Sequence, residues 1–227
     1  MIWSLGIDTS SIALSVGLYK DTAPFLSNTR YEQHGHSRHI VAMVRSLFSA
    51  GELSMADISR VGITTGPGSF TGLRVGIAFV KGLCMESNTP IYSFNTLEII
   101  ANSLGWFSGV LGIALDARQD HVFFATYTRE GSTIVPVQAL ERIPADSFYT
   151  AAKACDTVVY DTMGFTRSTV FSPLPDITNT IDLAQLHLSR GLGVAKCAAG
   201  TQRSPLSSLE VCPDYMQESY AERNRPR

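Results

Sequence analysis

Cysteine is scarce and scattered. The four thiols, Cys84, Cys155, Cys197 and Cys212, are too far apart to form a CxxC pair. They read as buried or incidental thiols in a reducing compartment. An excess of positive charge is also missing. Eighteen Lys and Arg against twenty Asp and Glu leave a net charge of −2. That argues against unaided binding of nucleic acid, because neutralising phosphates takes a basic footprint. Three arginines cluster at the end (Arg223, Arg225, Arg227) and read as a frayed polar tail. No apolar run reaches the roughly 18 residues a membrane helix needs. Met1-Ile2-Trp3-Ser4 has no basic segment of the kind that opens a signal peptide. No GxSxG, HExxH or catalytic Cys/His pattern occurs. The expectation is a cytoplasmic chain that does not span a membrane, with 44% apolar residues to build a core. Its length suits one large domain or two of about 100 residues each.

The first half is the more legible. Ile2 to Asp8 reads as a strand, Thr9-Ser10-Ser11 as a turn, and Ile12 to Tyr19 as a second strand alternating with period two. A third strand runs from Pro24 to Arg30. A helix follows, capped by Ser37, with Ile40, Val41, Met43, Val44, Leu47 and Phe48 at helical spacing and Gly51 as its stop. Ser54 to Asp57 resembles a capping-box turn. Val61 to Thr65 is a short strand running into a glycine-rich segment and a second helix, about Ser69 to Glu86. Ile91 to Phe94 is a strand, and Asn95 caps a helix through Leu104. In the second half, Val110 to Leu115 and His121 to Arg129 read as strands around a turn at residues 116–120. Gly131 opens a third strand to about Ala139. Pro144 starts a helix, Val158 to Tyr160 is a short strand, and Ile181 to Ala199 reads as a helix weakened by Gly191 and Gly193. The expected fold is α/β: two actin-like, ribonuclease-H-like lobes of βββαβα pattern, residues 1–105 and a degenerate second lobe, residues 106–227. Such a plan does not by itself assign a function.

Thr65-Gly66-Pro67-Gly68-Ser69 follows a strand and opens a helix, where backbone N–H groups can cradle an anion. It lacks the GK[ST] ending of a phosphate loop, and a turn with Ser69 as cap accounts for it without a ligand. The helix beyond it is apolar around most of its circumference, so it must be buried on more than one side. Gly72 and Gly76, four apart, would let another helix approach closely, which offsets the cost of up to about 1 kcal/mol for each interior glycine. This leaves two readings: a helix wholly inside its own core, or one shared with a partner. Asp8, ending the first strand before Thr9 and Ser10, stands where actin-like phosphotransferases serve Mg²⁺-ATP, or else supports a turn. His34, His36 and His39 do not have the i, i+4 spacing of a helical metal site and have no nearby carboxylate, so no metal is expected there. Asp116, Arg118, Asp120 and His121 concentrate charge at one hairpin. No nucleophile, base and orienter come together.

These residues carry a resemblance. Gly66 to Gly76 (GPGSFTGLRVG) is very similar to the hallmark of the TsaB (YeaZ) family. Gly6-Ile7-Asp8-Thr9-Ser10 looks like that family's first strand, His36-Ser37 like its first helix start, and Leu115 to Phe123 like its "DAR" hairpin. Val122-Phe123 stands where Val-Tyr is more usual. The resemblance covers most of residues 2–130. Beyond that it is thin, and Met216-Gln217 replaces the Leu-Arg of the family's ending after Pro213-Asp214-Tyr215. It implies a non-catalytic, actin-like subunit that binds and activates a catalytic TsaD-type paralogue, together with a TsaE-type ATPase. The complex would transfer a threonylcarbamoyl group to N6 of adenosine 37 of tRNA, which this chain would meet only indirectly. It also implies pairing through the first two helices, with Ile40, Met43, Val44, Leu47, Phe70, Gly72, Leu73, Gly76, Ile77 and Val80 as contact candidates. A homodimer through the same helices is open. Asp8, Thr9 and Ser10 are candidates for a vestigial nucleotide site; no cofactor is expected of the chain itself, and ATP and Mg²⁺ are open only within the complex. Two alternatives stay open: an independent actin-like ATPase or kinase, and a glycoprotease-like peptidase.

Overall fold

The computed structural model describes residues 1–161, 170–171, 179–186 and 188–216. Arg223, Arg225, Arg227 and Gln217 lie outside them. The chain opens with the antiparallel meander β1 (Trp3–Asp8), β2 (Ala13–Lys20) and β3 (Ala23–Tyr31). Helix α1 (His36–Ala50) leads through a 3-10 turn at Met55–Asp57 to β4 (Ile58–Gly66), which returns parallel to β1. Helix α2 (Phe70–Cys84), β5 (Ile91–Asn95) and α3 (Thr96–Ser103) follow. The sheet order is β3-β2-β1-β4-β5.

The second half repeats the plan. Strands β6 (Leu111–Asp116), β7 (His121–Glu130) and β8 (Thr133–Pro144) form the meander, followed by α4 (Ala145–Ala152), β9 (Thr157–Asp161) and β10 (Thr180–Asp182). The order β10-β9-β6-β7-β8 is that of the first sheet read from its other edge. The duplication, invisible as a residue repeat, is plain in the topology. Both halves follow the ribonuclease-H-like pattern.

Local chemistry explains most element ends. The side chain of Ser69 accepts from the Gly72 N–H at 3.0 Å, capping α2, and Asn95 caps α3 by accepting from Leu97 and Glu98. Ser54 and Asp57 form the expected capping box. Helix α1 differs from expectation: Gly35, not Ser37, is its cap residue, and no side chain caps it. Its first residue, His36, is tied instead to the β1–β2 turn, Nε2 donating to the Ser11 carbonyl at 2.8 Å.

The larger correction concerns residues 181–199. Thr180–Asp182 pairs parallel with β9, Leu183–Gln185 is a 3-10 turn, and the helix α5 begins only at Arg190 and runs to Gly200. An apolar run that could continue a helix is captured by a sheet edge, a tertiary preference that local periodicity does not carry. Strand β8 also runs five residues beyond the expected end at Ala139.

Helices α1 and α2 cover one face of the first sheet, with Leu5, Ile7, Val16, Ile63, Ile77 and Val80 in a shared core. Helix α5 covers the other face, although it comes from the second half. Conversely, α3 from the first half packs Leu97, Ile100 and Leu104 onto Ile113, Phe123 and Tyr127 of the second sheet. Helix α4 closes that sheet's far face through Phe148 and Phe124. The α3 and α5 helices meet in the middle of the molecule.

A row of glycines seats α5. Gly17, Gly6 and Gly62 are direct neighbours across β2, β1 and β4. A Cβ on Gly6 would stand 2.1 Å from the Gly191 carbonyl oxygen and 2.2 Å from the Ala195 nitrogen. One on Gly17 would stand 2.5 Å from the Leu192 backbone, and one on Gly191 2.6 Å from the Ser15 backbone. Gly191, which reads as a helix weakener in sequence, is one of the contacts that bring helix and sheet backbones together.

Candidate functional site

Asp8 ends β1 completely buried. Its Oδ1 accepts from the Ser10 N–H at 3.0 Å and from the Thr64 hydroxyl at 2.5 Å. Its Oδ2 has no hydrogen bond and faces Arg190 Nη1 at 3.9 Å. The other arm of the same guanidinium, Nη2, donates to Asp161 Oδ2 at 2.8 Å. Asp161 ends β9, so one arginine spans the strand ends of both sheets. Burial pushes its pKa down, but the charges of Asp161 and then Asp8 outweigh that and hold it above the ordinary arginine value. Neither Arg190 nor Asp161 is conspicuous in the sequence. The only available hint is a lone cation beside Gly191 and Gly193 in an apolar stretch.

Mg²⁺-ATP is the ligand this fold plan implies for Asp8, Thr9 and Ser10, and these residues do not fit it. Several of the N–H groups that would meet a phosphate are used internally. Ser10 donates to Asp8, Ser69 to the Ser10 carbonyl at 2.7 Å, Gly72 to Ser69 Oγ, and Leu73 to the Ser69 carbonyl. The glycine-rich segment is pressed onto the same turn. A Cβ on Gly68 would lie 2.4 Å from the Ser10 carbonyl oxygen, and one on Gly72 2.2 Å from the Thr9 carbonyl oxygen. On Gly76 it would lie 2.3 Å from Thr9 Oγ1. The close approach that Gly72 and Gly76 allow is therefore to the chain's own β1–β2 turn, not to a second helix. Among the described residues no group of three His, Cys, Asp or Glu is gathered as for a metal ion.

The contact candidates divide by side of helix. Ile40, Met43, Val44, Leu47, Ile77 and Val80 are buried in the chain's own core, as is Leu73. Phe70 is exposed at the start of α2, where Tyr215 stacks on it with ring centroids 4.6 Å apart. Arg74 lies over Phe70 and donates from Nε to the Tyr215 hydroxyl at 2.7 Å. The segment before Tyr215 is strapped along the first lobe. Leu206 bridges to Ile91, Val211 is fully buried, and the Asp214 N–H donates to the Thr65 carbonyl at 2.8 Å. The outward faces of the two helices carry Val41, Ala42 and Arg45 on α1, and Arg74, Ala78, Gly82 and, just past its end, Met85 on α2. A Cβ on Gly82 would meet nothing within 4 Å.

Near the starts of α1 and α2 lies a cleft of about 400 Å³, lined by Ser11, His34, His36, Ser69, Thr71 and Arg118 among others. Arg118 comes from the β6–β7 hairpin, where Arg118, Gln119 and Asp120 all have positive φ, between 52° and 59°. The Asp116 carboxylate accepts from the Arg118 N–H at 2.6 Å and holds that turn. Contrary to the expectation of no nearby carboxylate, His39 sits with Glu32, Nε2 to Oε2 2.9 Å.

The sequence model of the family described as TsaD: tRNA N6-adenosine threonylcarbamoyltransferase matches residues 26–203. The chain is 25% identical over 221 residues to the tRNA threonylcarbamoyladenosine biosynthesis protein TsaB of Bacillus subtilis. That alignment covers 96% of this chain and 95% of the relative. The chain belongs to this family, on its TsaB (YeaZ) branch. To TsaB of Escherichia coli it is 33% identical over 134 residues, 57% of each chain. The solved structure of YeaZ from Pseudomonas aeruginosa superposes with a TM-score of 0.76 at 21% identity. It covers 95% of this chain and all of that one, and bears out the fold. In this TsaB-type chain, no helix among the described residues is long and apolar enough to cross a membrane.

Proposed function

We propose that the chain is a non-catalytic subunit of tRNA threonylcarbamoyladenosine biosynthesis. It binds and activates a catalytic TsaD-type partner that transfers the threonylcarbamoyl group to N6 of adenosine 37. The names of its relatives supply the pathway. The observation that carries the subunit role is the outer face of α1 and α2, where Ala78 and Gly82 leave a helix surface without bulk beside exposed Val41 and Met85. A helix of the partner can lie close against such a surface. The buried candidates, Ile40 to Val80, then act from behind, by fixing the two helices in place. Phe70 at the start of α2 is the member of the original set that can touch a partner directly.

In this reading a TsaE-type ATPase joins the assembled pair, ATP and Mg²⁺ belong to the other subunits, and tRNA is met through the complex. The same face can pair with a second copy by two-fold symmetry when the partner is absent. The lobes divide between residues 105 and 106, in the loop from α3 to β6, with α5 returning to the first.

Co-purification with the TsaD-type protein of the same cell tests the reading. Gly82→Glu and Ala78→Glu should abolish pairing while leaving the melting temperature near that of the parent. Val137→Glu, on the exposed surface of β8, should pair normally. Undiminished pairing by Gly82→Glu would overturn the assignment of the face. An independent ATPase is tested separately by titration with Mg²⁺-ATP. Micromolar binding that Asp8→Asn abolishes would sink the non-catalytic reading.

A further inference from the structure

We infer that the outer face of α1 and α2 recognises an acidic protein surface, with Arg74 as the receptor for a carboxylate of the partner. This rests on the reading that the face pairs with a TsaD-type protein, and adds what that protein must present there. The first observation is charge. The two helices hold Arg38, Arg45, Arg74 and Lys81 and not one Asp or Glu, in a chain whose net charge is −2. Helix stability favours the opposite, since acidic residues suit a first turn, yet neither first turn has one. Within the chain, Arg38 meets Glu32 at 3.5 Å and Lys81 donates to the Leu209 carbonyl at 3.4 Å. Arg45 and Arg74 have no ion pair among the described residues.

The second observation is that Arg74 is held ready. Its guanidinium lies 3.9 Å from the Phe70 ring centroid, and its Nε donates to the Tyr215 hydroxyl at 2.7 Å. Its Nη1 and Nη2 have no hydrogen bond among the described residues. A guanidinium fixed against a ring with both terminal nitrogens free presents the fork that a carboxylate accepts. The third observation is position. Exposed Arg74, Ala78 and Gly82 follow one another at i, i+4 spacing on α2, as Val41 and Arg45 do on α1. The free cations therefore border the stripe of small residues. Charge then selects the occupant. A second copy would set the same cations against one another, and like charges in contact oppose pairing. RNA needs a continuous basic footprint, whereas here Val41, Ala78, Gly82 and Met85 lie between the cations. A protein helix with carboxylates beside small apolar residues suits both the cations and the stripe.

The test measures the Kd of the full chain for the TsaD-type protein of the same cell at about 50 and about 500 mM NaCl, which screens exposed charges. The parent should bind more weakly at high salt. At low salt Arg74→Gln should weaken pairing about tenfold or more, and Arg74→Lys, which keeps the charge without the fork, by less. Arg45→Gln should weaken it about two- to fivefold and melt with the parent, since that side chain holds nothing in the chain. These losses should shrink at high salt. A loss for Arg74→Gln that is equal at both salt concentrations overturns the inference, because the arginine would then serve only to hold Phe70 and Tyr215. An Arg74→Gln chain that pairs like the parent while Gly82→Glu does not pair overturns it and leaves the face assignment standing. Normal pairing by both variants removes the face as well. Self-association of the parent that Arg74→Gln abolishes, without pairing to the TsaD-type protein, overturns it in favour of a second copy. A tRNA transcript bound by the chain alone and released by Arg74→Gln and Arg45→Gln overturns it in favour of phosphate.

Discussion

Replacing Gly6 with alanine adds one methyl group, and the structure says where it must go. The new Cβ would lie 2.1 Å from the Gly191 carbonyl oxygen and 2.2 Å from the Ala195 nitrogen, whereas ordinary contact begins near 3.4 Å. Both obstacles are helix backbone, so no rotamer change relieves them. Helix α5 must retreat by more than an ångström, or β1 must bend. Gaps of that size forfeit a quarter to a half of the dispersion energy at each affected contact, and Val194, Ala195 and Ala198 are all fully buried. Overpacking of a core costs about 1–3 kcal/mol, and this case belongs at the upper end, about 3 kcal/mol. For a chain of this length that is a fall in Tm of about 6–12 °C. Gly82→Ala is the matched control. Its Cβ meets nothing within 4 Å, so only helix propensity and backbone entropy change. A gain of about 0.4–1 kcal/mol and a rise in Tm of about 1–4 °C are expected. Thermal unfolding followed by circular dichroism measures both. A Gly6→Ala protein melting within about 2 °C of the parent would refute the account of the glycine row.

Asn95→Ala removes the oxygen that accepts from Leu97 and Glu98 at the start of α3. It should lower stability in urea by about 1 kcal/mol. Val211→Asp puts a carboxylate into the core under the strap of residues 206–214, so limited proteolysis should cut that strap in the variant and spare it in the parent. Burial pushes the Cys84 thiol up to about 11 and, aided by Glu98, that of Cys197 to about 12, from an ordinary value near 9. The folded chain therefore keeps these protons after the unfolded chain has released them. Stability is fully present below about pH 9 and lost as pH climbs toward 12. Cys197→Ala should make urea unfolding less sensitive to pH across that window, and an unchanged slope would contradict the assignment.

What could be read from the sequence was local. The caps at Ser69 and Asn95, the 54–57 box, the two meanders and the glycine-rich hallmark are each set by residues a few positions apart. What could not be read is set by partners far along the chain. Gly72 and Gly76 announce a close approach, but nothing in their neighbourhood names Thr9 as the group approached. Ile181 keeps a helical rhythm with residues beyond it and still joins a sheet, because β9 offers an open edge. Arg190 stands in a glycine-rich stretch with nothing beside it to mark it out. Its role appears only when β1 and β9, 153 positions apart from Asp8 to Asp161, bring their carboxylates together.

The exchange of helices between the halves bears on how such a chain would serve a partner. Each sheet is completed by a helix from the other half, α5 on the first and α3 on the second, and the two helices touch. Opening the junction would expose Leu97, Ile100 and Leu104 on one side and Val194 and Ala198 on the other, and would part Arg190 from its carboxylates. Apolar burial and ionic contact therefore resist the same motion. A junction that resists opening holds α1 and α2 in one relation. On the proposed reading that rigidity is useful. Association is opposed by the ordering of whatever is loose, and a helix pair already fixed by its own core leaves only the partner to be ordered.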